Sequence, residues 1–456
     1  MKFFKRQCDL NFAPASWERD LELFVIDQLL DARMDVILLA ASCFPCARDE
    51  TCACVGRDGM TLEQVVRAAI YKQYKRLTYR QLSEHTEDSK KGRHFMKMED
   101  RTYFSSQALQ ENISRITSEV LDQIFAAVTA YGVTLGVDDG DKVREDATVI
   151  RTNVHHPTNA SLLWDGIRVS CRVLEQAKAK FGFIRVHNYR KGAKKLFFKI
   201  NNTKGKEQRR PKFKKMLQTE RRCIRQVISA IEALSCAHFE DTTQEKARID
   251  TLHQLEALLP KMEQVTDVAH RGEILDESVP VQDKLFSFFE DHTDCIVKKA
   301  GEAHFGHKVH LATGKSNLLF DCVVKRGNPA DSTYFVPTLD HLAQRFGITP
   351  RDLSTDGGYA SLDNLRQAQA RGVRNIVFSK TKGALRNCTT SKKMETILKK
   401  WRSGMEAVIS NFKRGLNADV CTWEGWNGFK RFVLWNAITF NLRVIARSIV
   451  SQLVSV

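Results

Sequence analysis

Strand and helix signals alternate through the second half of this chain, while the strand that should start the same sheet lies far upstream. The β-branched run Ala147-Thr148-Val149-Ile150 predicts that first strand. The next strand signals come only at HKVHLATG (307–314) and NLLFDCVVKRG (317–327), which read as a hairpin. A helix over 332–346, a short strand ending at Asp356, a helix over 362–370 and a strand over 374–380 follow. Between the first strand and the rest, from about Ser170 to Glu277, the residues are helical in period and highly charged. The expected fold is therefore an α/β core, a mixed sheet with flanking helices, interrupted after its first strand by about 110 residues of inserted helices. The expected boundaries are a helical N-terminal domain over 1–132, the first part of the sheet domain over 133–170, a basic helical insertion over 171–285, and the second part with C-terminal helices over 286–456.

Charge adds a partner class. The net charge is +17, and residues 171–215 hold 16 of the 71 Lys and Arg against Glu175 and Glu207. Phe181, Phe183, Tyr189, Phe197, Phe198 and Phe213 interleave with them. Such a stripe suits a polyanion, nucleic acid ahead of an anionic membrane surface. Lys194, Lys195, Arg209, Arg210 and Lys212 are its candidate DNA contacts.

Upstream, Thr61 with Gln64 and Thr78 with Gln81 spell two capping boxes, and a long helix is expected over about 105–131. Two helices joined by a tight turn and bearing Arg67, Lys72, Lys75, Arg76 and Arg80 read as a DNA-binding helix-turn-helix or as an ordinary helical bundle. The apolar run over 429–456 is interrupted by Lys430, Arg431, Asn436, Asn441, Arg443 and Arg447, so it reads as a core helix and not a membrane span. No segment reads as an export signal, and a cytoplasmic location is expected. Cys43, Cys46, Cys52 and Cys54 fall within twelve residues. They read as free thiols or as an imperfect zinc site.

Three carboxylates carry the chemistry. Asp356 ends a strand before Gly357 and Gly358, where ligands gather at the carboxyl edge of an α/β sheet. Asp146 lies on the first strand, directly after Glu145; Asp138, Asp139 and Asp141 compete with it from a Gly-flanked turn. Glu406 lies in WRSGMEAVISNFKRGL with the spacing R-x3-E-x6-K. On one helix, Glu406 falls about 40° from Arg402 and Lys413 about 20° from Glu406. One acid and two bases would then share a face, an arrangement that a salt-bridged surface helix also shows. Three such acids can bind two divalent ions for phosphoryl transfer, Mg²⁺ by preference with Mn²⁺ as substitute.

At these residues the chain resembles bacterial insertion-sequence transposases of the RNase H-like DDE class, ISNCY-type. The matching blocks are GRDGMTLEQVVRAAIYKQYKRLTYRQLSEHTEDS, EDATVIRTNVHHPTNASLLWDGIRV, FSFFEDHTDCIVKKAGEAHFGHKVHL through STDGGYASLDN, and SGMEAVISNFKRGL. The resemblance implies an RNase H-like catalytic core, with Asp146, Asp356 and Glu406 as catalytic metal ligands. It also implies DNA contacts from Arg402, Lys413 and Arg414, binding of terminal inverted repeats and target DNA as a homo-oligomer, and metal-dependent cleavage and strand transfer. Two departures stand out. Lys399 occupies the signature's aromatic position, and Asn417, Ala418 and Asp419 stand where relatives often carry an Arg. The alternatives are an RNase H-like nuclease or resolvase that cuts without joining, and a DNA-binding regulator derived from a transposase.

Overall fold

In a computed structural model, which describes residues 20–44, 59–98, 103–297, 301–380 and 385–454, the chain divides into two units. One joins 1–152 to 306–456, and the other is 153–305. The first opens with helices α1 (Leu21–Ala32), α2 (Met34–Leu38), α3 (Leu62–Tyr74), α4 (Tyr79–Asp88), α5 (Lys90–Phe95), α6 (Ser106–Arg115) and α7 (Ser118–Thr134). Both capping boxes form: Thr61 and Thr78 each accept from the backbone three residues on, and Gln64 and Gln81 reach back. Arg76, at φ 59°, makes the turn between α3 and α4. The single helix expected over 105–131 is two. Ile116 is extended, and Thr117 caps α7 by accepting from Val120 N.

The basic face expected on α3 is not a surface. Arg67 is fully buried, with Nη1 2.6 Å from Asp27, Nη2 2.5 Å from Asp31 and Nε 2.8 Å from Glu63. Lys72 is buried too, and Lys75 pairs with Asp20 at 2.6 Å. Of the five expected bases, Arg76 and Arg80 remain exposed.

Strand β1 (Lys142–Thr152) follows, and the chain then enters the second unit. This is built from α8 (Asn159–Phe181), α9 (Arg190–Asn201), α10 (Lys206–Cys236) and α11 (Thr242–Glu273), with the short strand β2 (Asp294–Val297) near its end. Thr158 closes another capping box with Ser161, so α8 begins some ten residues before the helical signal read from the sequence. Leu163, Ile167, Leu174, Phe213, Leu217 and Met262 meet in a core of the unit's own.

Back in the first unit run β3 (Ala303–Thr313), β4 (Leu319–Val324), α12 (Ser332–Phe346), β5 (Asp352–Asp356), α13 (Leu362–Ala370), β6 (Asn375–Ser379), α14 (Lys392–Ser403), α15 (Met405–Gly415), β7 (Val420–Cys421) and α16 (Gly425–Val454). In this unit β4 pairs with β3, β3 with β1, β1 with β5 and β5 with β6. Strands β4, β3 and β1 are antiparallel, and β5 and β6 run parallel to β1. Strand β7 pairs with the far end of β1.

Helix α16 is long and apolar enough to cross a membrane by length and composition, but 67% of its apolar window is buried within the protein. Asn441 explains the packing: it donates to Thr129 Oγ1 and Leu319 O, both at 2.8 Å, and accepts from Leu319 N. A polar side chain so satisfied pins α16 to α7 and β4. The N-terminal helices and the sheet share one continuous apolar core, from Leu23 through Leu311 to Ala446.

Candidate active site: two aspartates bridged by an arginine

Parallel pairing sets Lys142 beside Asp352 and Glu145 beside Thr355. One more step along both strands places Asp146 beside Asp356, on the same face because side chains alternate with period two. Asp356 ends its strand at a turn that demands glycine: a Cβ on Gly357 would lie 2.7 Å from the Ser379 carbonyl oxygen. Asp146 Oδ1 accepts from Ala147 N at 2.9 Å, and its Oδ2 accepts from Arg402 Nη2 at 2.5 Å. The same Nη2 is 3.7 Å from Asp356 Oδ1. That Oδ1 is buried and has no hydrogen-bond partner. Burial pushes the Asp146 carboxyl up to about 6, with Arg402 opposing the rise and Asp356 adding to it.

The arginine comes from a different helix than the sequence suggests. Helix α14 ends at Ser403 and α15 begins at Met405, so Arg402 and Glu406 do not share one helical face. Arg144 sits at the break. Its Nη1 takes the Trp401 carbonyl at 2.7 Å, its Nη2 bonds Asn317, and its guanidinium lies 4.8 Å over the Trp401 ring. A Cβ on Gly404 would come within 2.3 Å of Arg144 Nη1, so a larger residue there would displace that guanidinium. Arg402, 8% exposed, turns to the aspartates from the last turn of α14.

Helix α15 is anchored by Met405, Val408 and Phe412, a spacing that buries one stripe and leaves Glu406 exposed. Among the described residues no group of three or more His, Cys, Asp or Glu is placed to hold a metal ion. The structure thus brings Asp146 and Asp356 together and leaves Glu406 outside that pair. Lys413 donates to Val149 O at 2.9 Å and pairs with Asp419 at 2.6 Å, while Arg414 is exposed. The competing acids serve the turn before β1: Asp138 accepts from Ser316 N and Oγ, and Asp139 and Asp141 pair with Lys315.

Sequence reasoning missed a polar cluster on the sheet's other face. Glu145 points there, fully buried, with Oε2 3.8 Å from His310 Nε2. Thr338 donates to Asp321 Oδ2 at 3.0 Å and lies 3.2 Å from His310 Nε2. The hydroxyl can therefore only accept from the imidazole, so Nε2 carries the proton and His310 Nδ1 accepts from the Tyr359 hydroxyl at 2.7 Å. Burial drives His310 down to about 4 and Glu145 well up, so both neutral forms are favoured. His341, 3.1 Å from Asp321, is raised by that hydrogen bond. The one available signal was Glu145 beside Asp146: neighbours on a strand face opposite sides.

In the second unit, Lys194 and Lys195 are exposed, while Arg209, Arg210 and Lys212 are partly buried. Arg210 pairs with Asp276, and Lys212 donates to Gln208 O at 2.7 Å. Cys43 is half-buried; Cys46, Cys52 and Cys54 lie outside the described residues.

No curated protein and no solved structure matches this chain. A family comparison does. Residues 285–442, which contain Asp356, Arg402, Glu406 and Lys413 and to which β1 adds Asp146 through the sheet, match the family model described as a transposase DDE domain.

Proposed function

We propose that this chain is a transposase of a bacterial insertion sequence, of the ISNCY type and with an RNase H-like core. It binds terminal inverted repeats as a dimer and cleaves and joins DNA at one site. The observation that carries the reading is the parallel register of β1 and β5. It sets Asp146, outside the matched region, beside Asp356, inside it. The mixed sheet, split after its first strand, supports the RNase H-like assignment.

The aspartate pair fits a hard divalent cation, Mg²⁺ with Mn²⁺ as substitute. Asp356 Oδ1 is buried without a hydrogen bond, and burial raises the Asp146 carboxyl, a cost that a bound cation would offset. Asp146 and Asp356 would hold it, and Glu406 would become the third ligand only by moving in from its exposed position on α15. When bound, the metal supplies activation of water or a 3′-hydroxyl and stabilises the leaving oxygen. Arg402 keeps the two carboxylates together in the free protein. With Lys413 and Arg414 it then offers cations to the phosphates flanking the scissile bond.

The exposed position of Glu406, apart from the pair, favours a second reading: a DNA-binding regulator derived from a transposase. One experiment separates the two. A duplex carrying the inverted repeats that flank the gene is incubated with Mg²⁺ and wild type, Asp146→Asn, Asp356→Asn or Glu406→Gln. Wild type is expected to cleave the ends and join them to target. Each variant should lose cleavage by at least about a hundredfold while keeping end binding. Wild-type-like cleavage by an aspartate variant would sink the active-site assignment, and no cleavage by wild type would favour the regulator.

A further inference from the structure

A cleft of about 460 Å³ opens where the α3–α4 turn meets the loop after α15, β7 and the start of α16. Lys72 lines it, 6% exposed, with its ammonium 4.8 Å over the Tyr79 ring and 5.4 Å from the Trp423 ring. Among the described residues no carboxylate pairs with that ammonium, and burial lowers it to about 8. A buried lysine so placed is costly and calls for an anion. Three buried nitrogens in the lining have no hydrogen-bond partner: Gln73 Nε2, Trp423 Nε1 and Arg431 Nε. Gln73 itself is 3% exposed. Arg76 adds a third cation from the turn, and among the described residues the only lining acid is Glu424.

Three cations, Lys72, Arg76 and Arg431, and the unmet N–H groups of Gln73, Trp423 and Arg431 line the cleft from α3 and its turn, the segment after β7, and α16. A planar carboxylate has two oxygens to offer, whereas a phosphate presents acceptors in several directions at once. We propose that this cleft binds a phosphate group, with Lys72 as the buried charge and Gln73, Trp423, Arg76 and Arg431 as donors. Two sources share that chemistry: a phosphodiester in a DNA strand, and a free phosphate or pyrophosphate anion. The lining of the cleft includes none of Asp146, Asp356 and Arg402, so the cleft is separate from the aspartate pair. The proposal rests on this geometry and not on the catalytic reading.

The test uses the full chain in EDTA, which silences metal-dependent chemistry. Binding of inorganic pyrophosphate is measured by calorimetry, and binding of a labelled duplex by anisotropy across a salt series. Lys72→Met and Arg76→Ala are compared with wild type. We expect each cleft variant to weaken binding by about tenfold. If the duplex is the source, the salt slope should also fall by about 0.9, the share of one neutralised phosphate. A weakening confined to the duplex identifies the strand phosphodiester, and one confined to pyrophosphate identifies the free anion. Unchanged binding of both ligands overturns the site. Arg76 is exposed, so its variant decides the matter even if Lys72→Met fails to fold.

Discussion

Two stretches of this chain look alike in sequence and behave in opposite ways. The α3–α4 segment and residues 190–215 are both rich in Lys and Arg at helical spacing. In the first, Arg67 is fully buried among Asp27, Asp31 and Glu63, and Lys72 is buried against aromatic rings. In the second, Lys194, Lys195, Lys214 and Lys215 stand exposed, and none pairs with a carboxylate among the described residues. A count of positive charge therefore says little about partners. What separates the two is where the acids lie. Those that meet Arg67 come mainly from α1, remote in sequence, whereas in the second stretch Glu175, Glu207 and Asp276 reach Arg190, Lys206 and Arg210 and leave those four lysines free of them.

The largest expected effect breaks the first region. Arg67→Met should destabilise the first unit by about 3–5 kcal/mol, because it strands buried Glu63 and leaves buried Asp27 to Lys97 alone among the Lys and Arg side chains near it. Lys195→Met should stay within about 0.5 kcal/mol. Urea unfolding of the two variants checks the contrast, and a mild Arg67 variant would erase it. Next comes nucleic-acid binding. Neutralising Lys194, Lys195, Lys214 and Lys215 together should leave stability alone and lower the salt slope of duplex binding by about 0.9 for each phosphate they neutralise. An unchanged slope would show that the stretch is only a solvated face. Arg210→Gln should contribute less, since Asp276 already holds that guanidinium.

The smallest effect belongs to a pair between these extremes. Asp321 raises half-buried His341 above its ordinary value of 6.5. A raised folded-state value means that the stabilisation is fully present below pH 6.5 and fades as pH rises through the folded-state value. Solvent screening should keep it under about 1 kcal/mol. His341→Gln should flatten the stability profile in that window, and a profile unaltered by the change would show that the pair contributes nothing to stability.

The sequence was most readable where the deciding groups are close neighbours. The capping boxes at Thr61 and Thr78, the β3–β4 hairpin and the strand end at Asp356 are each set within a few residues, and each formed. It was least readable where a distant side chain intervenes. Nothing near Gly404 announces that Arg144 will take the Trp401 carbonyl and divide one helix into two. That division turns Arg402 towards Asp146 and leaves Glu406 behind. The burial of Arg67 was hidden for the same reason. So was the shared core of the N-terminal helices and the sheet, which depends on α16, the last helix in the chain.

The place of the inserted unit also dictates an order of events during synthesis. Strand β1 is made early, yet its neighbours β3 and β5 follow only after the whole of 153–305. Contacts of such long sequence separation form late, and units that bury their own core tend to fold as they emerge. The helices of 153–305 can close on themselves while β1 still waits unpaired. Asp146 and Asp356 therefore first meet when translation has passed β5. A truncated product ending before β5 would carry the basic helices and lack the acidic pair.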